Sequence, residues 1–179
     1  KSYSFIRKDG VDIDQLRGIT DKFGGIDKKK AKEIGYEIKD GIEWIKQEVD
    51  ILIPSALENQ VNEETVKMIS DKVKIVAEGA NGPTTPEADN FLEKKGIFNI
   101  PDFLANAGGV TCSYFEQVQC NMNYFWPTAE VLDRLDAIMT KAFHAVYDLA
   151  AKKKIYMRDA AYMISISRVA EACKLRGWV

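Results

Sequence analysis

Val73-Lys74-Ile75-Val76-Ala77-Glu78-Gly79-Ala80-Asn81-Gly82-Pro83-Thr84-Thr85-Pro86-Glu87-Ala88-Asp89 is the stretch that decides the fold. Its first residues are short, apolar and β-branched, as in a buried strand. Its middle is Gly, Ala, Asn and Pro, residues that turn sharply and let a ligand approach the backbone. Its end opens a short helix, Glu87 to Lys95. A second strand, Ile97-Phe98-Asn99-Ile100, is ended by Pro101 and runs into Asp102-Phe103-Leu104-Ala105-Asn106-Ala107-Gly108-Gly109-Val110. Two asparagines, each beside Gly or Ala, thus follow two successive strands. In an open α/β sheet, ligands bind in the crevice at the carboxyl ends of the strands.

Working outward, Val49-Asp50-Ile51-Leu52-Ile53-Pro54 reads as a parallel strand covered on both faces and stopped by Pro54. Asn62 to Ile69 is a predicted helix capped by Asn62. Upstream, residues 2–7 alternate as a short strand, and Asp12 to Lys22 and Lys28 to Ile34 are short helices, the latter capped by Asp27. Ile42 to Lys46 is a small apolar turn. Downstream, Gly108 to Asn121 is helical, Thr128 caps a long helix, and Asp159 to Leu175 forms a last one. In the long helix Val131, Leu135, Ile138, Ala142, Ala145 or Val146, and Leu149 recur at helical spacing. The strand–helix alternation argues a parallel sheet with right-handed crossovers. About four strands are visible, few for a doubly wound fold, and no GxGxxG turn accompanies them.

The whole chain has 179 residues, enough for a substantial core, and is 46% hydrophobic, which excludes a disordered class. A net charge of −2 offers no electrostatic case for nucleic acid or anionic membrane, and no apolar run approaches a membrane span. Cys112, Cys120 and Cys173 lack CxxC spacing and read as reduced thiols of a cytoplasmic protein without a secretory signal. With His144 the only histidine, no metal site is expected.

Four segments together carry a resemblance: Ile53-Pro54-Ser55-Ala56-Leu57-Glu58-Asn59, Glu78 to Asp89, Ile100 to Glu116, and Met157-Arg158-Asp159-Ala160-Ala161-Tyr162. From about Asp50 to Trp178 the chain closely resembles the C-terminal part of glutamate dehydrogenases of the hexameric bacterial and archaeal type, within the Glu/Leu/Phe/Val dehydrogenase family. It departs from the common pattern at Ser55, often Ala, at Cys112, often aliphatic, and at Gln117, often Trp. The resemblance implies a partial Rossmann-like parallel sheet with helices on both faces, followed by a helical C-terminal segment. Residues 1–125 would be the second part of a dinucleotide-binding domain and 126–179 helices packing back on it. The glycine-rich phosphate loop and the N-terminal domain with the catalytic Lys and Asp would lie outside this chain, which alone would catalyse little.

The implied reaction is NAD- or NADP-dependent, reversible oxidative deamination of L-glutamate to 2-oxoglutarate and ammonia, in a homo-hexamer. By the same resemblance Ser55 and Ala56 would lie against a cofactor ribose. Asn81 would bond the nicotinamide-side ribose region, and Asn106 the nicotinamide carboxamide. Gly108 and Gly109 would admit the ring close to backbone. Val110 and Ser113 would face the substrate, with the Ser113 hydroxyl on the glutamate γ-carboxylate. No catalytic residue is expected in this chain. Three alternatives stand beside this reading: a non-catalytic nucleotide- or subunit-binding module, a dehydrogenase for another amino acid, and a Ser113 that only bonds its own helix backbone. Arg158-Asp159 reads as a structural ion pair at a helix start.

Overall fold

The computed structural model describes residues 2–178. The chain forms two compact units, one of residues 1–48 with 68–70, the other of 49–67 with 71–179.

In the first unit β1 (Tyr3–Ile6) pairs antiparallel with β2 (Glu37–Asp40), joined by α1 (Ile13–Gly18) and α2 (Lys28–Glu33). Asp12 caps α1 by accepting from the Gln15 amide, and Asp27 caps α2 by accepting from the Lys29 and Lys30 amides. The α1 helix stops at Gly18, four residues short of the sequence expectation, because Thr20 turns its hydroxyl back to the Leu16 carbonyl and bridges Ile26 instead. Ile42 to Lys46 lies in a 3₁₀ turn, Gly41–Lys46, with Ile45 fully buried.

The second unit holds a three-stranded parallel sheet in the order β3 (Ile51–Leu52), β4 (Ile75–Ala77), β5 (Phe98–Ile100). Helix α3 (Pro86–Lys94) connects β4 to β5, with the Thr85 hydroxyl accepting from the Ala88 amide and Pro86 at the first helical position. After β5 come α4 (Asp102–Ala105), α5 (Ala107–Met122), α6 (Thr128–Lys153) and α7 (Met157–Leu175). Leu104 of α4, Val146 and Ala150 of α6, and Met157, Ala160 and Ala161 of α7 form one buried cluster, with Phe98 and Ile100 of β5 against it. The core-facing part of the long helix is therefore its second half. Ile138, on the same stripe, stays 44% exposed.

Four expectations are corrected. The first strand of the sheet is two residues long, not six, because only Ile51 and Leu52 pair with β4. Asn62 to Ile69 forms only a 3₁₀ turn, Thr65–Met68, although the Asn62 side chain does accept from the Glu64 and Thr65 amides. The Thr65 hydroxyl donates to the Gln60 carbonyl, which holds the chain to the turn. Among the described residues the strands number three in the parallel sheet and two in a separate antiparallel pair, not four in one sheet. Pro127, not Thr128, occupies the cap position of α6, and no side chain caps that helix.

Candidate nucleotide-binding site at the carboxyl ends of the strands

The segments that follow β3 and β4 are laced together. Ala80 N donates to Pro54 O at 2.9 Å, Asn59 N to Gly82 O at 2.9 Å, Val61 N to Pro83 O at 2.8 Å, and Thr85 N to Val61 O at 2.9 Å. These bonds continue the parallel pairing past the strand ends, so the turns that would meet a ligand are held by backbone.

At the tightest point Gly79 passes Ser55. A Cβ on Gly79 would stand 2.4 Å from Ser55 Oγ and 3.2 Å from Ser55 Cβ. The hydroxyl can rotate away; the Cβ cannot. Gly79→Ala should therefore cost about 1–3 kcal/mol in urea unfolding, and Ser55→Gly in the same chain should recover much of it. If the alanine variant unfolds at the wild-type midpoint, the contact is looser than this spacing.

Asn81 follows β4 and Asn106 follows α4, and the structure joins them: Asn106 Nδ2 donates to Asn81 Oδ1 at 2.8 Å and to Ala80 O at 3.3 Å. Each side chain keeps one unused group, the Asn81 amide nitrogen as a donor and the Asn106 amide oxygen as an acceptor. Asn106 is also the residue before α5, and Val110 and Ser113 continue its face at i+4 and i+7. Val110 is 70% exposed and Ser113 is exposed. The Ser113 hydroxyl donates to the Gly109 carbonyl at 3.2 Å, the bond to its own helix weighed above. A Cβ built on Gly109 meets nothing within 4 Å, whereas one on Gly108 would touch Leu135 at 3.8 Å. Open space thus lies over Gly109, while Gly108 backs onto α6. On the other flank Ser55 and Ala56 are exposed, and Ser55 Oγ donates to the Ile53 carbonyl at 3.2 Å. The structure gives no contact joining Ser55 or Ala56 to the asparagine pair.

Beneath these turns lies a buried polar cluster that the sequence reading missed. Arg158, in the first turn of α7, donates to Glu78 Oε1 at 2.6 Å, to Asp102 Oδ1 at 3.2 Å and, from Nε, to Asp89 Oδ2. Its partners are therefore Glu78, Asp89 and Asp102 and not the adjacent Asp159, which is exposed. The helix directs the two neighbouring side chains to different sides. Glu78 is fully buried and follows β4, Asp102 opens α4, and Asp89 lies in α3. Three carboxylates face one guanidinium, and neutral donors meet the excess. Asn99 Nδ2 donates to Glu78 and Asp89 at 3.0 Å each, Asp102 N to Glu78 Oε2 at 2.9 Å, and Gly82 N to Asp102 Oδ2 at 2.8 Å. Burial alone would lower the Arg158 pKa, but the bonds to Glu78 and Asp89 outweigh it and hold it above the ordinary arginine value. The one readable signal was the set of polar residues placed just past each strand, Glu78 and Asp102, together with Asn99 inside an otherwise apolar strand.

Tyr156 completes the cluster. Burial first, then the charge of Asp89, push its phenol well above the usual tyrosine range, although its hydroxyl makes no aligned hydrogen bond. The folded state therefore resists ionisation of this group. Its contribution to stability is intact below about pH 10 and declines as pH rises beyond the unfolded value. Tyr156→Phe should flatten the alkaline limb of a stability-against-pH curve, and an unchanged limb would remove Tyr156 from the account.

The aromatic group near the end of α5 divides. Phe115 is buried and meets Trp126 edge-on at 5.7 Å, while Tyr114, Tyr124 and Phe125 are exposed. His144 is exposed, and Cys112, Cys120 and Cys173 are free thiols. No group of His, Cys, Asp and Glu among the described residues could hold a metal, and no helix there is long and apolar enough to cross a membrane.

Residues 3–177 match the family model of Glutamate/Leucine/Phenylalanine/Valine dehydrogenase. The chain belongs to this family. It is 43% identical over 171 residues to a cryptic catabolic NAD-specific glutamate dehydrogenase of Bacillus subtilis, covering 96% of this chain and 38% of that protein. It is 45% identical over 169 residues to an NAD-specific glutamate dehydrogenase of Staphylococcus aureus, covering 94% of this chain and 39% of that one. The chain thus spans about two fifths of the length of these relatives. Among solved structures, glutamate dehydrogenase of Peptoniphilus asaccharolyticus superimposes with a TM-score of 0.65 at 45% identity, over 71% of this chain and 32% of that one. Hetero-hexameric glutamate dehydrogenase of Thermus thermophilus, in a leucine-bound form, gives a TM-score of 0.79 at 25% identity, over 94% and 38%. The α/β fold with its small parallel sheet and helical C-terminal segment is the fold of these enzymes.

Proposed function

We propose that this chain is the nicotinamide-side part of an NAD-dependent glutamate dehydrogenase, which interconverts L-glutamate with 2-oxoglutarate and ammonia. The observation that carries the reading is the Asn81–Asn106 pair, with its spare donor and acceptor beside the open backbone of Gly109. A primary carboxamide, such as that of nicotinamide, offers one acceptor and one donor and matches the pair group for group. The NAD specificity of the similar enzymes favours NAD over NADP.

When bound, NAD accepts the hydride from the substrate Cα. The residues of this chain hold and orient. Asn81 and Asn106 fix the carboxamide, Gly109 leaves room for the ring with Gly108 behind it against α6, and Ser55 and Ala56 flank the ribose side. Val110 and Ser113, further along the same helical face, border the glutamate side chain. Proton transfer belongs to Lys and Asp side chains of a further domain, and the phosphate loop to the first part of the dinucleotide-binding domain. Residues 1–125 are the second part of the dinucleotide-binding domain and 126–179 a helical segment folded back on it. The buried cluster of Leu104 with Val146 and Met157 supports that last point. A homo-hexamer is the assembly the family resemblance implies.

The test is NADH formation from L-glutamate, measured on the complete enzyme and on residues 1–179 alone. Turnover by the complete enzyme, with none by the isolated segment until the further domain is supplied, is the expected result. Turnover by the segment alone would place the proton-transferring groups inside it and overturn this division. A complete protein that binds NADH but oxidises no amino acid would favour the non-catalytic module.

A further inference from the structure

We infer that Asp102 is a positioning residue of the nicotinamide-side site, which sets both asparagines at once and is itself aimed by Arg158. The inference rests on the reading of Asn81 and Asn106 as cofactor contacts.

Asp102 reaches the two asparagines by different atoms. Its carboxylate accepts from the Gly82 amide at 2.8 Å, one residue past Asn81. Its own carbonyl accepts from the Asn106 amide at 2.9 Å. Asn106 Nδ2 then closes on Asn81 Oδ1 at 2.8 Å. The result is a ring of three hydrogen bonds that runs Asn81–Gly82, Asp102, Asn106 and back to Asn81. Gly82 holds a φ of +54°, a left-handed conformation that glycine adopts as readily as others, and the Asp102 bond selects it in this exposed turn.

The carboxylate is not free to swing. Arg158 Nη1 donates to its second oxygen at 3.2 Å, while the Asp102 amide donates to Glu78 Oε2 at 2.9 Å. Glu78 and Asp89 are held in turn by Arg158 and Asn99. Asp102 is therefore fixed from below by a buried cluster and acts upward on the exposed pair. A carboxylate is required at this position, because both of its oxygens accept. In Asp102→Asn one of them becomes an amide nitrogen facing either the Gly82 N–H or the Arg158 guanidinium, donor against donor.

The complete enzyme provides the test, with the NADH dissociation constant as the readout. Asp102→Asn should weaken NADH about tenfold in the otherwise wild-type protein. In an Asn81→Ala, Asn106→Ala background the same change should cost less than twofold, because the groups it positions are gone. An equal loss in both backgrounds would make Asp102 merely structural. An unchanged affinity in the wild-type background would also overturn the inference. Hydrogen exchange of the Gly82 amide in the wild-type protein needs no variant and guards against one that fails to fold. That amide should be protected, and exchange at the rate of a free exposed amide would dismiss the ring. Should the complete enzyme bind no NADH, the cofactor reading fails, and Gly82 exchange still decides whether Asp102 holds the turn.

Discussion

Arg158→Ala should destabilise the protein by about 3–5 kcal/mol, the range found when one partner of a buried ion pair is removed. Against a total stability of about 5–15 kcal/mol for a folded domain, such a loss takes a large share. Two facts set the size. The Arg158 side chain is 17% exposed and its partner Glu78 is fully buried, so water cannot take over the lost bonds. Three carboxylates from three elements converge on this one guanidinium, so its removal leaves like charges facing one another. Arg158→Lys should fall between, because a single ammonium cannot reproduce the planar fork that meets three acceptors. The measurement is urea unfolding of the wild type, Arg158→Ala, Glu78→Gln and the double variant. The double variant should be more stable than the sum of the singles by about 0.5–3 kcal/mol, since neutralising Glu78 removes a buried unpaired charge. Additive costs would mean that solvent already screens the cluster.

Ser113→Ala in the complete enzyme should raise the Michaelis constant for glutamate about 10- to 100-fold and leave the NADH dissociation constant within about twofold. A hydrogen bond to a charged group contributes about 1.5–3 kcal/mol, and each 1.4 kcal/mol is tenfold. The structure sharpens the test, because the Ser113 hydroxyl rests on the Gly109 carbonyl of its own helix. To meet a γ-carboxylate it must swing from that carbonyl, which a single χ1 step allows on an exposed helix face. If glutamate kinetics stay unchanged, the bond to Gly109 is the whole role of this residue. The substrate assignment then reopens toward the other amino acids of the family. If NADH binding falls as much as glutamate binding, Ser113 contacts the cofactor instead.

The parts of the fold legible in the sequence are those fixed by near neighbours. The β4–turn–α3–β5 unit follows from Ile75-Val76-Ala77, the Gly- and Pro-rich turn, Thr85 as cap and Gly96 as stop, each acting over a few residues. The two candidate asparagines were legible for the same reason, since they directly follow elements with clear ends. Where a second, distant segment decides the outcome, local pattern misled. Val49 to Pro54 reads as a six-residue strand by composition, yet only Ile51 and Leu52 pair, because the register with β4 sets the strand's length. Asn62 to Ile69 has helix chemistry at its start, yet Val61 is pinned across to Thr84 and leaves only a 3₁₀ turn beyond it.

The sequence by itself determined the α/β class, the two turns with their asparagines, the helix that opens at Gly108 and the family. All of these are carried by residues adjacent in the chain or one helical turn apart. Only the tertiary structure decided that Asn81 and Asn106 join, 25 positions apart, and that Arg158 meets Glu78 from 80 positions away. Such pairs carry no local periodicity. They arise because a parallel sheet delivers successive strand ends to one edge, where buried carboxylates must find a cation or an amide to offset the loss of water.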